Sequence, residues 1–175
     1  DPAKARITLS DLSVESASLR LKARGHGDLL GADSAALRPG ALPDAVLGQL
    51  AFSEVMADPE GLFEEPVRFS QGAVDLRLRL KPFKLEIGQL ALVEKEERLL
   101  LSGAVAAADG GWNGALDLEL NQIATERLLK VWPVSVVPKT RVWFASNVGQ
   151  GQLYDVRAAL RLKPGGQPQF SLGYE

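Results

Sequence analysis

The chain has 175 residues, a formal net charge of -2, and 46% hydrophobic but only 6% aromatic residues. The apolar content is therefore aliphatic, and the lack of both a basic field and stacking aromatics argues against a nucleic-acid partner. Because the chain has no cysteine, disulfide frameworks, Cys-ligated zinc and thiol catalysis are excluded.

The two ends of the sequence resemble the interior of a sheet. Apolar alternation is already present at Ile7 and Leu9 and is still present at Phe170 and Leu172. No uncharged apolar run approaches the ~20 residues of a membrane-spanning helix, and the N-terminus lacks the pattern of a signal peptide. We therefore expect residues 1-175 to be a single segment excised from a longer repeating β protein.

The N-terminal part, residues 1-62, combines strand patterns with one helical pattern. Ile7 and Leu9 belong to a first half-buried strand, and alternation over 17-23 predicts a second strand. Between Asp44 and Met56, apolar residues recur at roughly helical spacing. This spacing predicts a short helix there.

Residues 63-122 have the pattern of an antiparallel meander. Over 74-81, apolar residues alternate with ionised ones without an error, and the alternation resumes at Phe83 after Pro82. At Gly88 the alternation slips by one residue, which predicts a β-bulge that keeps the apolar set on one face.

Residues 123-150 are predicted to form a helical pair. Thr125 is a candidate cap of the first helix, which ends at Pro133, and Pro138 begins the second helix. After a Gly-Gln-Gly turn the period changes from 3.6 to 2, so residues 151-175 return to the sheet. The predicted fold is mainly β: a curved antiparallel sheet of about eight strands with two or three short helices.

Two pairs of side chains in the helical pair each have two interpretations. Trp132 and Trp143 are predicted to be packing anchors that fix the helices to the sheet, or alternatively to grip a lipid or a neighbouring segment. Lys139 and Arg141 are predicted to cap and solubilise the second helix; the alternative, that they hold a lipid phosphate, comes only from the family resemblance described below.

No pattern in the sequence indicates an enzyme. His26 lies between two glycines without a His, Cys or carboxylate partner at ligand spacing, so we interpret it as a loop or strand-end residue. The carboxylates at 64-65 and 94-97 lie beside turn residues, where solvated surface is expected. We therefore expect no catalytic residue, no metal site and no cofactor.

The stretch from Leu128 to Leu162 resembles a known family. The sequence Leu-Leu-Lys-x-Trp-Pro is followed by Val-Pro-Lys-Thr-Arg-x-Trp, and then by a Gly-x-Gly turn into an alternating strand. This order is similar to that of the YhdP-type members of the AsmA-like superfamily. The motif and packing positions are Trp132, Pro133, Pro138, Arg141, Trp143 and Gly151.

The resemblance implies a periplasmic segment of a long envelope protein of Gram-negative bacteria, anchored in the inner membrane by a helix outside this sequence. It implies a hydrophobic β-groove for phospholipid transport between the inner and outer membranes. The partners would be phospholipid acyl chains and the flanking segments of the same chain. The groove candidates are Leu76, Leu78, Leu80, Leu85, Ile87, Leu116, Leu118 and Leu120. The alternative is a structural or interaction module in envelope assembly that binds no lipid.

Overall fold

The computed structural model describes residues 5–31 and 43–175, which form one antiparallel sheet with two helices. The strands are β1 (Ala5–Glu15), β2 (Leu19–Leu30), β3 (Ala45–Ala57), β4 (Val67–Leu80), β5 (Phe83–Glu94), β6 (Glu97–Ala108), β7 (Gly111–Ala124), β8 (Gln152–Leu162) and β9 (Gln169–Gly173). The helices α1 (Thr125–Val131) and α2 (Pro138–Asn147) connect β7 to β8. The predicted mainly β fold is confirmed, with nine strands in an open sheet.

The strands lie in the sheet in chain order, so every strand is antiparallel to its sequence neighbours. Paired residues point to the same side of an antiparallel sheet, and their registers define continuous rows across it. One row consists of Leu9, Gly25, Leu50, Val74, Leu90, Leu101, Leu118, Ala158 and Leu172. The next row on that side consists of Ile7, Gly27, Gly48, Leu76, Ile87, Gly103, Leu116, Leu160 and Phe170. We term this side the apolar face.

The opposite side of the sheet is termed the polar face. One row on this face lies one residue along each strand from the second apolar row. It consists of Arg6, Asp28, Leu47, Arg77, Glu86, Ala104, Ala115, Arg161 and Gln169. The side chains of the polar face therefore do not have to bury apolar surface, and they include most of the charged residues of the strands.

The bulge predicted at Gly88 is confirmed. Ile87 pairs with Leu76, whereas Gln89 pairs with Asp75, so Gly88 is the extra residue on β5. Because of this extra residue, the apolar side chains before and after it remain on the apolar face.

The helix predicted between Asp44 and Met56 is wrong, because residues 45-56 belong to β3. This strand pairs with β2 on one side and with β4 on the other. Gly48 in the middle of the segment weakens a helix, and Leu50 and Phe52 alternate with smaller or polar residues as a strand requires. Pairing on both sides therefore outweighs the apparent helical spacing.

The hydrophobic core lies where the helical pair covers one part of the apolar face. The buried cluster consists of Leu120, Ile123, Leu128, Trp132, Phe144, Leu153 and Val156. Helix α2 begins at Pro138 as predicted, and Pro133 lies just beyond the end of α1. No helix in the described part of the chain has the length and apolar character needed to cross a bilayer.

Thr125 is the first residue of α1 and not its cap as predicted, since Ala124 occupies the cap position. The buried hydroxyl of Thr125 lies 3.1 Å from the carbonyl oxygen of Gly149 and accepts a hydrogen bond of 3.2 Å from the Gly151 N–H. Thr125 thus ties the start of α1 to the glycine turn that follows α2.

Candidate functional site

The eight predicted groove residues all lie on the apolar face, in β4, β5 and β7. Leu76 is opposite Ile87, and Leu78 is opposite Leu85, so four of the candidates form two adjacent cross-strand pairs. These four side chains are half-buried although they lie outside the core cluster beneath the helices. They form an aliphatic surface with no charged group between them.

The remaining candidates differ in how far the helices cover them. Leu120 is only 4% exposed and belongs to the core, so its assignment to a ligand groove is wrong. Leu118 is half-buried and packs against that core. Leu116 lies outside the cluster, and Leu80 is 38% exposed at the far end of β4. The available surface therefore extends away from the helices.

The apolar face also includes strands that the sequence analysis did not assign to a groove. Ile7 on β1, Leu50 on β3 and Leu160 on β8 belong to the same two rows as the predicted residues. The alternation in β1 and β8 contained this information, but the incorrect helix at β3 concealed that the rows continue through it.

Glycines on the apolar face allow neighbouring leucines to lie flat against the sheet. A Cβ at Gly72 would be 2.6 Å from Cδ2 of Leu92, and a Cβ at Gly48 would be 3.2 Å from Cδ1 of Leu76. Side chains from adjacent strands occupy the space above these glycines. The result is a smoother aliphatic surface than a row of larger residues would give.

A depression with a volume of about 640 Å³ lies mainly on the polar face, over β1 to β5. Small and polar side chains line most of it, including Ala51, Ala73 and Ser53.

His26 lies in the middle of β2, opposite Thr8 and Gln49, and not at a strand end as predicted. Among the described residues no three His, Cys, Asp or Glu side chains are grouped as metal ligands.

The ionised residues Asp75, Arg77 and Arg79 of β4 lie on the polar face. Glu86 on β5 lies 2.7 Å from Nζ of Lys84. The hydrogen bond from Lys84 lowers the pKa of the Glu86 carboxyl, and the charges of Lys84, Arg77 and Arg79 act in the same direction. Arg77 and Arg79 are half-buried, whereas Lys81 is exposed in the turn after β4.

Carboxylates beside the turns connect the sheet to the helical pair. Glu65 lies 2.8 Å from Lys130, and Glu97 forms an ion pair with Arg127. Arg127 also donates a hydrogen bond of 3.1 Å to the Arg68 carbonyl. The expectation of solvated surface is wrong for Glu97, since its side chain is largely buried by this contact.

Arg141 is a bridge between three parts of the chain. Its side chain is 11% exposed, lies 2.9 Å from the Glu64 carboxylate and donates a 2.9 Å hydrogen bond to the Leu129 carbonyl. The hydrogen bond and the charge of Arg141 both lower the pKa of Glu64. Arg141 is therefore neither an open phosphate ligand nor a solubilising cation, whereas Lys139 is exposed.

The two tryptophans of the motif have different environments. Trp132 is 5% exposed, donates a 2.8 Å hydrogen bond to the Val136 carbonyl, and has ring contacts with Phe144 and Phe170. Its predicted anchoring role is confirmed. Trp143 is 55% exposed, so its predicted packing role is wrong. Phe144, which the sequence analysis did not single out, is the buried anchor of α2.

A search of protein-family models, of curated proteins and of solved structures finds no match to this chain. The resemblance to the AsmA-like superfamily therefore rests on the motif between Leu128 and Leu162. Within that motif, Trp132 and Arg141 hold the helical pair in place, and the Gly151 N–H donates a hydrogen bond to the Thr125 hydroxyl.

Proposed function

We propose that this chain is a non-catalytic segment of an AsmA-like envelope protein, whose apolar face binds phospholipid acyl chains during transport between the inner and outer membranes. The observation that carries the proposal is the extent of that face. Two rows of apolar or glycine residues cross all nine strands without a charged residue. The helices bury only the part of it next to β7 and β8.

The size of the apolar face suits an acyl chain. Eight strand spacings of ~4.8 Å give a width of about 38 Å, and a strand of twelve residues spans about 40 Å. Transfer of one methylene out of water contributes ~0.8 kcal/mol, so a dozen methylenes contribute about 10 kcal/mol. A leucine and valine surface provides this free energy without specific polar contacts, and open apolar surfaces of this kind mark ligand or partner sites.

The cellular setting of the proposal comes from the motif between Leu128 and Leu162. By that resemblance the chain is periplasmic, is joined to an inner-membrane anchor outside this sequence, and continues its apolar face into flanking segments. Phospholipid is the proposed ligand because the face lacks polar groups that would select a more polar one.

A structural or interaction module in envelope assembly is the second candidate. Two observations favour it: Val142 and Trp143 project from α2 into solvent, and β1 and β9 each have one unpaired edge in the described sheet. Exposed aromatics and free strand edges are features of docking surfaces. Under this hypothesis the apolar face is covered by protein and not by lipid.

The experiment compares an aspartate on the two faces of the same sheet. Leu78→Asp places a carboxylate on the apolar face outside the core, whereas Leu47→Asp places one on the polar face, opposite Arg77. We expect the wild type to bind a fluorescent fatty acid and to retain phospholipid in native mass spectrometry. Leu78→Asp should weaken fatty-acid binding by about tenfold or more, since an unpaired charge would be buried under the ligand.

Leu47→Asp is the matched control and should bind as the wild type does. Circular dichroism and thermal unfolding establish that both variants are folded. Unchanged binding by a folded Leu78→Asp variant would refute the acyl-chain site at this position. A wild type that neither retains phospholipid nor binds the fatty acid would favour the interaction module.

A further inference from the structure

The charges of the sheet differ between the two ends of its strands. The connection from β3 to β4, residues 58-66, has no Lys or Arg. Its carboxylates are Asp58, Glu60, Glu64 and Glu65. Contacts of this connection with Lys130 and Arg141 place it beside the helical pair. We term this end of the strands the helix end.

The turns after β4, β6 and β8 and the start of β3 lie at the opposite end of the strands, which we term the open end. Lys81 and Lys163 are exposed in two of these turns, and the described carboxylates in the turns and at the start of β3 are Asp109 and Asp44. Neither lysine takes part in an ion pair with any described residue. Lys84 and Arg161 nearby are instead paired with carboxylates of the polar face.

The open end also exposes large apolar side chains next to these lysines. Trp112 is 52% exposed, and its ring centroid lies 5.7 Å from that of Phe83 in an edge-to-face arrangement. Leu80 pairs with Phe83 across the turn that contains Lys81. All three apolar side chains belong to the apolar face, so that face reaches the open end without a cover from any described element.

We propose that the open end docks on an anionic lipid surface, with Trp112 and Leu80 at the level of the headgroups and with Lys81 and Lys163 against the lipid charges. Tryptophan and lysine favour this boundary, because one offers an amphipathic ring and the other a flexible cation. Charge complementarity sets the orientation, because Lys81 and Lys163 have no ion-pair partner among the described residues, whereas Lys130 and Arg141 at the helix end are already paired with Glu65 and Glu64.

This docking goes beyond the proposed function, since it concerns a surface and not a single bound lipid. It stands or falls independently of acyl-chain binding along the sheet. Where both hold, the open end is the place at which an acyl chain passes from a membrane to the apolar face, because the helices cover the other end.

The test measures binding of the full 175-residue chain to vesicles of phosphatidylcholine that contain about one-third phosphatidylglycerol, and to vesicles of phosphatidylcholine alone. We expect cosedimentation with the anionic vesicles and weak binding to the neutral ones. The double variant Lys81→Gln/Lys163→Gln should weaken partitioning by about 30-fold, since each lysine near an anionic surface contributes about fivefold. Binding should also decrease with added salt.

The matched control is Lys95→Gln/Lys139→Gln, which removes the same charge from exposed lysines near the helix end. We expect this variant to bind the anionic vesicles as the wild type does. In a Trp143→Phe background, tryptophan emission should shift to shorter wavelength with vesicles, and Trp112→Phe should abolish the shift. A fatty-acid titration of each variant shows whether acyl-chain binding changes independently of vesicle binding.

Equal losses of vesicle binding in the two double-lysine variants would overturn the proposal, because they would indicate an electrostatic attraction that is not specific to the open end. No binding to anionic vesicles would overturn it as well, and so would an unchanged Trp112 emission in the bound state. Retention on a polyanion such as heparin without vesicle binding would point to a different class of partner and would also refute it.

Discussion

At the scale of single residues, helix α2 illustrates how one largely buried cation conceals the inward face of a helix. Within α2, Arg141 and Phe144 face the rest of the protein, and their spacing of i and i+3 places them on one helix face. Val137 and Val148 flank the helix and are half-buried. Because an arginine occupies one of the two inward positions, the sequence favoured the neighbouring face with Trp143 instead.

The two tryptophans of the motif give the first prediction for stability. We expect Trp132→Ala to lower the free energy of unfolding by about 3–5 kcal/mol, because it removes a buried ring and leaves a cavity. Trp143→Ala should change it by no more than about 0.5 kcal/mol, since that ring is exposed. Urea unfolding of both variants measures the difference, and equal costs would contradict this assignment of the anchor.

At the scale of elements, the helical pair is held to the sheet by side chains from several connections. Arg141 joins α2 to the carbonyl of Leu129 in α1 and to Glu64 in the connection between β3 and β4. Lys130 and Arg127 add contacts from α1 to that connection and to Glu97. The cover of the core therefore depends on residues far apart in the sequence.

The pH dependence of stability should reveal the contact between Arg141 and Glu64. Because the folded-state pKa of Glu64 lies below its ordinary value of 4.5, the contact stabilises the fold above that pH and is lost as the pH falls through the lowered pKa. We expect Arg141→Met to be less stable than the wild type at neutral pH, with a difference that narrows below about pH 4.5. Thermal unfolding at low salt is the measurement.

The difference in stability between the wild type and Arg141→Met should not vanish at low pH, since the substitution also removes the hydrogen bond to the Leu129 carbonyl. Lys130→Met, which breaks the more exposed pair with Glu65, is the control and should cost less. A difference between the wild type and Arg141→Met that is constant from neutral to acid pH would show that Glu64 contributes nothing to it.

At the scale of the whole molecule, the core is unevenly distributed over a sheet in which each strand pairs only with its neighbours. The buried cluster draws on β7, β8, α1 and α2, whereas the side chains of β1 are mostly exposed. Local opening requires less free energy where fewer apolar groups are buried. The two edges of the sheet should therefore differ in stability.

Hydrogen exchange measures this difference. We expect the amides of 120-128 and 153-156 to exchange most slowly and those of β1 to exchange most rapidly, because β1 is an edge strand outside the core. Mass spectrometry of peptides from native-state exchange gives the order. Uniform protection across β1 to β9 would mean that the sheet opens as a single unit, contrary to this expectation.

Features that depend on neighbouring residues could be predicted from the sequence, whereas features that depend on distant contacts could not. The strict alternation of β4, the extra residue at Gly88 and the start of α2 at Pro138 each follow from neighbours in the chain, and each is confirmed. At β3, helical spacing and strand alternation were both present, and only pairing with β2 and β4 decided between them. The apolar face was identified from the alternation, but the boundary of the part that the helices cover was not.

By itself the sequence determined a mainly β chain with one apolar and one ionised side, because strand periodicity places alternate residues on opposite faces. Only the tertiary structure decided which part of the apolar side is covered. That choice depends on long-range contacts such as those of Arg141 with Glu64 and of Trp132 with Phe170. These contacts bury Leu120 and leave Leu78 outside the core, a distinction that no local pattern contains.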